Sequence, residues 1–253
     1  MNRSIDLNAD VGERPEALAD GSEEELLGLV TSANIACGGH AGTNETMAAV
    51  VAIALRHGVA IGAHPGYPDR QNFGRLEVSL PAQELERSIA TQVAALDAIA
   101  KAQGATLRHV KAHGALYNTA VRDQQLATTI ADALLPWRAD IVLFGLAGSR
   151  MLETWTARGY RVAAEAFADR RYEADGSLRA RRYPDALIVD PEAAARQAAA
   201  IAVEGRVVSV SGDSVPIAAQ TLCVHGDTPG AVEIIRAIRS ELARLGVEIR
   251  SGR

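Results

Sequence analysis

The feature that most constrains this fold is an alternation. Short apolar runs recur along the chain, separated by longer amphipathic stretches that carry helix punctuation. The strand candidates are Ser4–Ala9, Ser32–Cys37, Ala60–Ala63, His109–Ala112, Asp140–Phe144, Arg161–Glu165 and Leu222–Val224. Helical stretches lie between them at Thr43–His57, Pro81–Gln103, Thr119–Leu135, Gly148–Arg158, Pro191–Val203 and Pro229–Leu245. Thr43 is a capping residue type, Gly58 follows the stretch it opens, and Pro81, Pro191 and Pro229 stand at first-turn positions. Strands separated by helices pair in parallel through right-handed crossovers. Seven of them predict an α/β fold closed as an irregular seven-stranded parallel β/α barrel. The chain has 253 residues, 48% of them hydrophobic. That suits one barrel domain spanning residues 1–253 with a large core.

Four histidines stand where a strand candidate stops: His40, His64, His113 and His225. Each is flanked by glycine or proline, and the chain has only 6 histidines. The first segment ends the same way, with Asp10 and Glu13. One such histidine is easily a cap or a core residue, but four separated by helical stretches are not. In a barrel, strand-terminal side chains point into the mouth, so Asp10, His40, His64, His113, Glu165 and His225 are expected to converge there. A carboxylate with two or three imidazoles fits a divalent metal, with Asp10, His40 and His64 as the ligand candidates. The same groups equally fit a metal-free acid/base cluster. His57 falls in the last turn of a helix, where its charge suits the dipole. His109 begins a strand, at the opposite end of the barrel.

Period-2 alternation puts Asp6, Asn8 and Asp10 on one face of the first strand. It also puts Lys111 on the same face as His113. A lysine facing a barrel interior needs a carboxylate or a substrate anion beside it. Arg170, next to Glu165 and Asp169 in the chain, has the fork geometry that clamps a carboxylate or phosphate. Asp227, two residues after His225, is expected to orient that imidazole. Two segments break the alternation. Arg206–Ala218 reads as a hairpin around Gly212–Asp213. Asp169–Pro184 is a polar, arginine-rich loop of the length expected for a lid or binding loop.

Charge narrows the partners. With 26 Lys+Arg against 31 Asp+Glu the net charge is −5, so no basic excess exists for nucleic acid. Cys37 and Cys223 form no CxxC pair and read as buried strand residues in a reducing compartment. The first residues carry no apolar signal core, and no run approaches the ~18 residues of a membrane span. The expected location is cytoplasmic, away from membranes. No GxxxxGK[ST], GxGxxG, GxSxG or HExxH pattern occurs, so nucleotide binding is not legible from pattern.

Six motifs then stand in order: LNADVGE (7–13), NIACGGHAG (34–42), IGAHPGYPDR (61–70), VKAHGALYN (110–118), EAFADRRY (165–172) and LCVHGD (222–227). Together they resemble the LamB/YcsF family, the A subunits of 5-oxoprolinase, over essentially the whole chain. Gly66 stands where serine is common in that family. The resemblance implies a barrel of the glycoside hydrolase/deacetylase type. It also implies ATP-dependent opening of the lactam 5-oxoproline to L-glutamate, with ADP and phosphate released, alongside partner subunits B and C. Phosphorylating the lactam oxygen would make the carbonyl carbon an electrophile that water attacks. Such a site needs a base, a cation near developing charge and a clamp for the substrate carboxylate. Asp10, His64, Lys111, His113 and Glu165 are the catalytic candidates, and Asn8, Asp169, Arg170, His225 and Asp227 the substrate-binding ones. A divalent metal would add a Lewis acid. The same rim also fits a stand-alone metal-dependent deacetylase or amidohydrolase, or a non-catalytic substrate-binding subunit.

Overall fold

The computed structural model describes residues 3–252. Seven parallel strands close the barrel: β1 (Arg3–Val11), β2 (Ser32–Ala36), β3 (Ala60–His64), β4 (His109–Lys111), β5 (Val142–Leu146), β6 (Arg161–Phe167) and β9 (Thr221–His225). β9 pairs with both β6 and β1, which completes the circuit. The expected architecture is the one found.

The helices between the strands form the outer layer. α3 (Asn44–His57) is held by a capping box on Thr43 and stopped by Gly58 at φ 67. α4 (Ala82–Ala102), α7 (Arg150–Ala157), α8 (Pro191–Ala199) and α9 (Ala231–Arg244) also fall in expected helical stretches. The hairpin is present as β7 (Arg206–Val208) and β8 (Ser214–Pro216). No helix of the described residues is long and apolar enough to cross a membrane.

Three differences have local causes. The expected helix Thr119–Leu135 is two helices, α5 (Gly114–Ala120) and α6 (Gln124–Ala133). The Asp123 carboxylate accepts from the backbone N–H of Gln125 and Leu126 and starts a new helix there. Two short helices, α1 (Pro15–Ala19) and α2 (Ser22–Leu27), fill a segment that carries little periodic signal. A short strand, β10 (Val247–Ile249), pairs with the start of β1 below the closed barrel.

The barrel interior is polar. Leu7, Ala9, Ala33, Ile35, Ala63 and Leu222 face outward into the core shared with the helices. Asp6, Asn8 and Asp10 alternate with them on β1 and are buried. Asp6 accepts from Ser32 Oγ and Thr221 Oγ1 at 2.7 and 2.6 Å. Asn8 donates to Glu165 and Thr221 at 3.1 and 2.7 Å and accepts from Asn34. His109 also points inward, 2.8 Å from Asn34 Oδ1 and stacked on Phe144. Gly62 makes room for it, since a Cβ there would overlap the His109 ring. Gly62→Ala should therefore lower stability by roughly 2–3 kcal/mol. Urea denaturation checks this, and an unchanged midpoint would mean that the imidazole does not fill this space.

Candidate active site

Lys111 ends β4 with its ammonium buried inside the barrel. It has three N–H donors. Two of them reach Asp10 Oδ1 at 2.9 Å and Cys223 Sγ at 3.0 Å, and the ammonium also lies 3.0 Å from Glu165 Oε1 as an ion pair. Asp10 also accepts from Asn34 at 2.8 Å. Burial alone would raise the Asp10 carboxyl, but His64 and Lys111 outweigh it and hold it well below the usual range. Burial likewise works against the Lys111 charge, and Asp10 and Glu165 overcome it. Asp10, Cys223 and His225 bring possible ligand atoms together, yet the lysine ammonium already sits on two of them.

Above this floor three imidazoles and a carboxylate converge. His64 ends β3, His113 caps α5, and His40 lies on the loop before α3. Arg70 staples that loop by donating to the carbonyls of Gly38 and Gly42 at 3.1 and 2.9 Å. Gly74, at φ 60, presses against His40 and His113, and its carbonyl receives the N–H of Ala115 at 2.9 Å. Only glycine fits both the conformation and the space. Glu13, just past β1, lies 3.0 Å from His40 Nε2, 3.2 Å from His113 Nδ1 and 3.7 Å from His64 Nε2. His64 Nε2 is also 3.3 Å from Asp10 Oδ2. Burial pushes His40 down to about 3 and lowers His113. It opposes the His64 charge too, but Asp10 outweighs it and the net shift is upward. Burial would raise Glu13, but His113 and His40 beside it carry it below its ordinary value.

The other expected residues divide into those that face the mouth and those that support it. Asn8 and Glu165 lie a layer below, fully buried. Asn8, expected to contact substrate, instead spends its amide on Glu165, Thr221 and Asn34. Asp169, not Asp227, orients His225: its carboxylate lies 3.0–3.1 Å from His225 Nδ1 and also accepts from Thr228 at 2.7 Å. Burial would raise Asp169, but His225 and Thr228 pull it to about 2. Asp227 turns the other way and pairs with Arg75 and Arg181. These contacts join three loops across the mouth.

The mouth opens into a cavity of about 1330 Å³ that reaches Asp10, Glu13 and Lys111. Arg75, Arg122, Arg150, Arg170, Arg181 and Arg182 line it. The loop 169–184 supplies three of these arginines, so it forms a wall of the cavity rather than a detached excursion. Arg170 is buried, donates to the Arg179 carbonyl at 2.6 Å and leaves Nε without a partner. Sequence reasoning noted Glu13 at a strand end without giving it a role, and it missed Asn34, Cys223 and the arginines other than Arg170. Asn34 was within reach, since it sits two residues after Ser32 on a strand with the same alternation as β1.

A parallel β/α barrel with ionised carboxylates and clustered imidazoles at the C-terminal mouth has the design of a barrel enzyme. The sequence profile of the LamB/YcsF family matches residues 5–253, and the chain belongs to that family. The A subunit of 5-oxoprolinase from Chloroflexus aggregans is 49% identical over 250 residues, covering 99% of both chains. That of Shouchella clausii is 47% identical over 249 residues, 98% of each. The crystal structure of the lactam utilization protein from Thermus thermophilus superimposes with a TM-score of 0.91 at 43% identity. The match covers 98% of this chain and 100% of that one.

One buried acid supports the mouth at a cost. Glu23 on α2 accepts from the Gly12 N–H with one oxygen and leaves the other without a partner. Burial, with Glu13 nearby, raises its carboxyl from 4.5 to about 7. A folded value above the unfolded one means that folding takes up a proton between them. Stability therefore falls as pH rises from about 4.5 to 7. Glu23→Gln stays neutral and can still accept from Gly12. It should stabilise by up to roughly 3 kcal/mol at pH 8 and by little near pH 4. Urea unfolding at the two pH values checks this, and an equal effect at both would contradict it.

Proposed function

We propose that this chain is the barrel component of an ATP-coupled 5-oxoprolinase, opening the lactam of 5-oxoproline to give L-glutamate. The reading rests on full-length identity of 49% to a protein named as the A subunit of 5-oxoprolinase. The mouth chemistry suits it. The substrate is a small anion, and Arg170 offers a buried guanidinium with no carboxylate partner facing the cavity. Asp10, kept ionised by His64 and Lys111, is placed to take a proton from attacking water. Lys111 acts through Asp10 and Glu165 rather than on the substrate, because its buried ammonium already sits on Asp10, Glu165 and Cys223. Asp169 serves by holding His225.

ATP coupling requires further subunits, B and C in this reading, since this chain carries no recognisable phosphate-binding loop. The mouth donors also fit a divalent cation: a carboxylate and imidazoles lie within ligand reach of one another. Such an ion would polarise the scissile carbonyl or activate water.

Reconstitution tests the proposal. This chain with both partners should release glutamate from 5-oxoproline only when ATP is present, and the chain alone should release almost none. His64→Ala and His113→Ala should each lower turnover of the complex by roughly 10²–10⁴-fold, beyond what any loss of folded protein measured by thermal melting accounts for. Full activity from the isolated chain, or ATP-independent hydrolysis of acetylated sugars, would replace this reading with that of a stand-alone amidohydrolase. Near-normal turnover in both variants would remove the mouth from the chemistry.

A further inference from the structure

The mouth contains more unshared lone pairs than neutral side chains can tolerate. His64 Nδ1 lies 2.8 Å from the carbonyl of Lys111, and His113 Nε2 lies 2.9 Å from the carbonyl of Phe73. A carbonyl only accepts, so each of these nitrogens carries its ring's proton. The opposite nitrogens, His64 Nε2 and His113 Nδ1, are then bare, and they face each other at 3.0 Å. Glu13 Oε1 joins them at 3.7 and 3.2 Å. With both rings neutral, three acceptors thus crowd one point with no hydrogen between them; either a second proton on His64, which Asp10 favours, or a cation has to stand there. Ring nitrogens tied outward to backbone carbonyls are how proteins fix the tautomer of metal-binding histidines.

The spacings have a meaning. Ligands at about 2.1 Å from one ion lie roughly 3.0–3.4 Å from each other in octahedral to tetrahedral geometry. The observed 3.0, 3.2 and 3.7 Å are close to the edges of such a shell. The two rings are nearly perpendicular, at 87°, so their in-plane lone pairs can meet.

His40 cannot join this set. Its ring stacks on His113 with centroids 3.5 Å apart and planes within 4°. An imidazole binds through a lone pair in its ring plane, and an ion in the plane of one of two stacked rings lies about a stacking distance out of the other. His40 instead points Nε2 at Glu13, 3.0 Å away. Asp10 is committed through Oδ1 to Lys111 and Asn34; its Oδ2 touches His64 Nε2 at 3.3 Å, but Asp10 does not group with both His113 and Glu13, whereas it does with Cys223 and His225.

We infer that Glu13, His64 and His113 are the protein ligands of one divalent first-row transition-metal ion, with His40 and Asp10 positioning that set rather than ligating. The expected triad of Asp10, His40 and His64 is thereby revised to share only His64. One carboxylate and two imidazoles, with further coordination positions facing the cavity, suit zinc, cobalt or manganese over magnesium or calcium. The inference refines the cofactor in the function proposed above. Its test reads metal and not turnover, so either can fail without the other.

The probe is Co²⁺ titrated into the metal-free full chain, followed by its visible d–d bands and by proton NMR. One ion should bind per chain. The paramagnetic spectrum should show two strongly shifted exchangeable ring N–H signals, those of His64 Nδ1 and His113 Nε2. Glu13→Gln and His113→Ala should weaken binding by about 100-fold or more, whereas His40→Ala should retain one ion with a loss within about 100-fold. The wild-type signal count stands even where a variant fails to fold. Absence of binding at millimolar Co²⁺ would show that a shared proton sits between the two rings and would overturn the inference. Three shifted N–H signals, or binding lost in His40→Ala but kept in His113→Ala, would overturn the ligand set.

Discussion

The arrangement depends on one buried cation. Lys111 sits inside a barrel whose interior is lined with carboxylates and amides, and it touches both Asp10 and Glu165. Neither acid is exposed enough for water to carry its charge. Without the ammonium, the two acids would be buried with no cation between them. From Lys111 the contacts run upward through Asp10 to His64, and downward through Glu165, Asn8 and Thr221 to Asp6. The barrel therefore uses its interior as a charged, hydrogen-bonded post. The apolar packing that holds the fold together lies outside it, between strands and helices.

That post places the mouth. Asp10 is held ionised at the level where β3 ends, so an imidazole arriving there meets a fixed negative charge. The histidine loops are then locked from several sides: Arg70 ties the loop of His40, Gly74 packs beneath it, and two backbone carbonyls orient the rings of His64 and His113. The floor is anionic while the walls carry arginines. On a chain of net charge −5, the arginine walls are a local reversal of charge above a floor of acceptors and imidazoles.

Much of this was legible because barrel strands and helices impose periodicities of 2 and 3.6 residues on the chain. The seven strands, the inward run Asp6, Asn8, Asp10 and the strand-end positions of His64 and His225 follow from them directly. The split between α5 and α6 was not legible, since it rests on a single carboxylate cap at Asp123. Sequence proximity misled at His225. Asp227 lies two residues away but turns toward arginines, whereas Asp169, on a neighbouring strand's end, makes the contact. Glu13 and His40 show the same limit. Which carboxylate meets which imidazole, and which rings stack, is set by loop packing that no periodicity records.

Equilibrium urea unfolding of Lys111→Met at neutral pH tests the central dependence most directly. Methionine keeps most of the volume and removes the charge. If the ammonium holds two buried carboxylates in the barrel, the variant should lose roughly 3–5 kcal/mol. Stability equal to that of the unmodified chain would contradict the account, because the acids would then be tolerated without their cation.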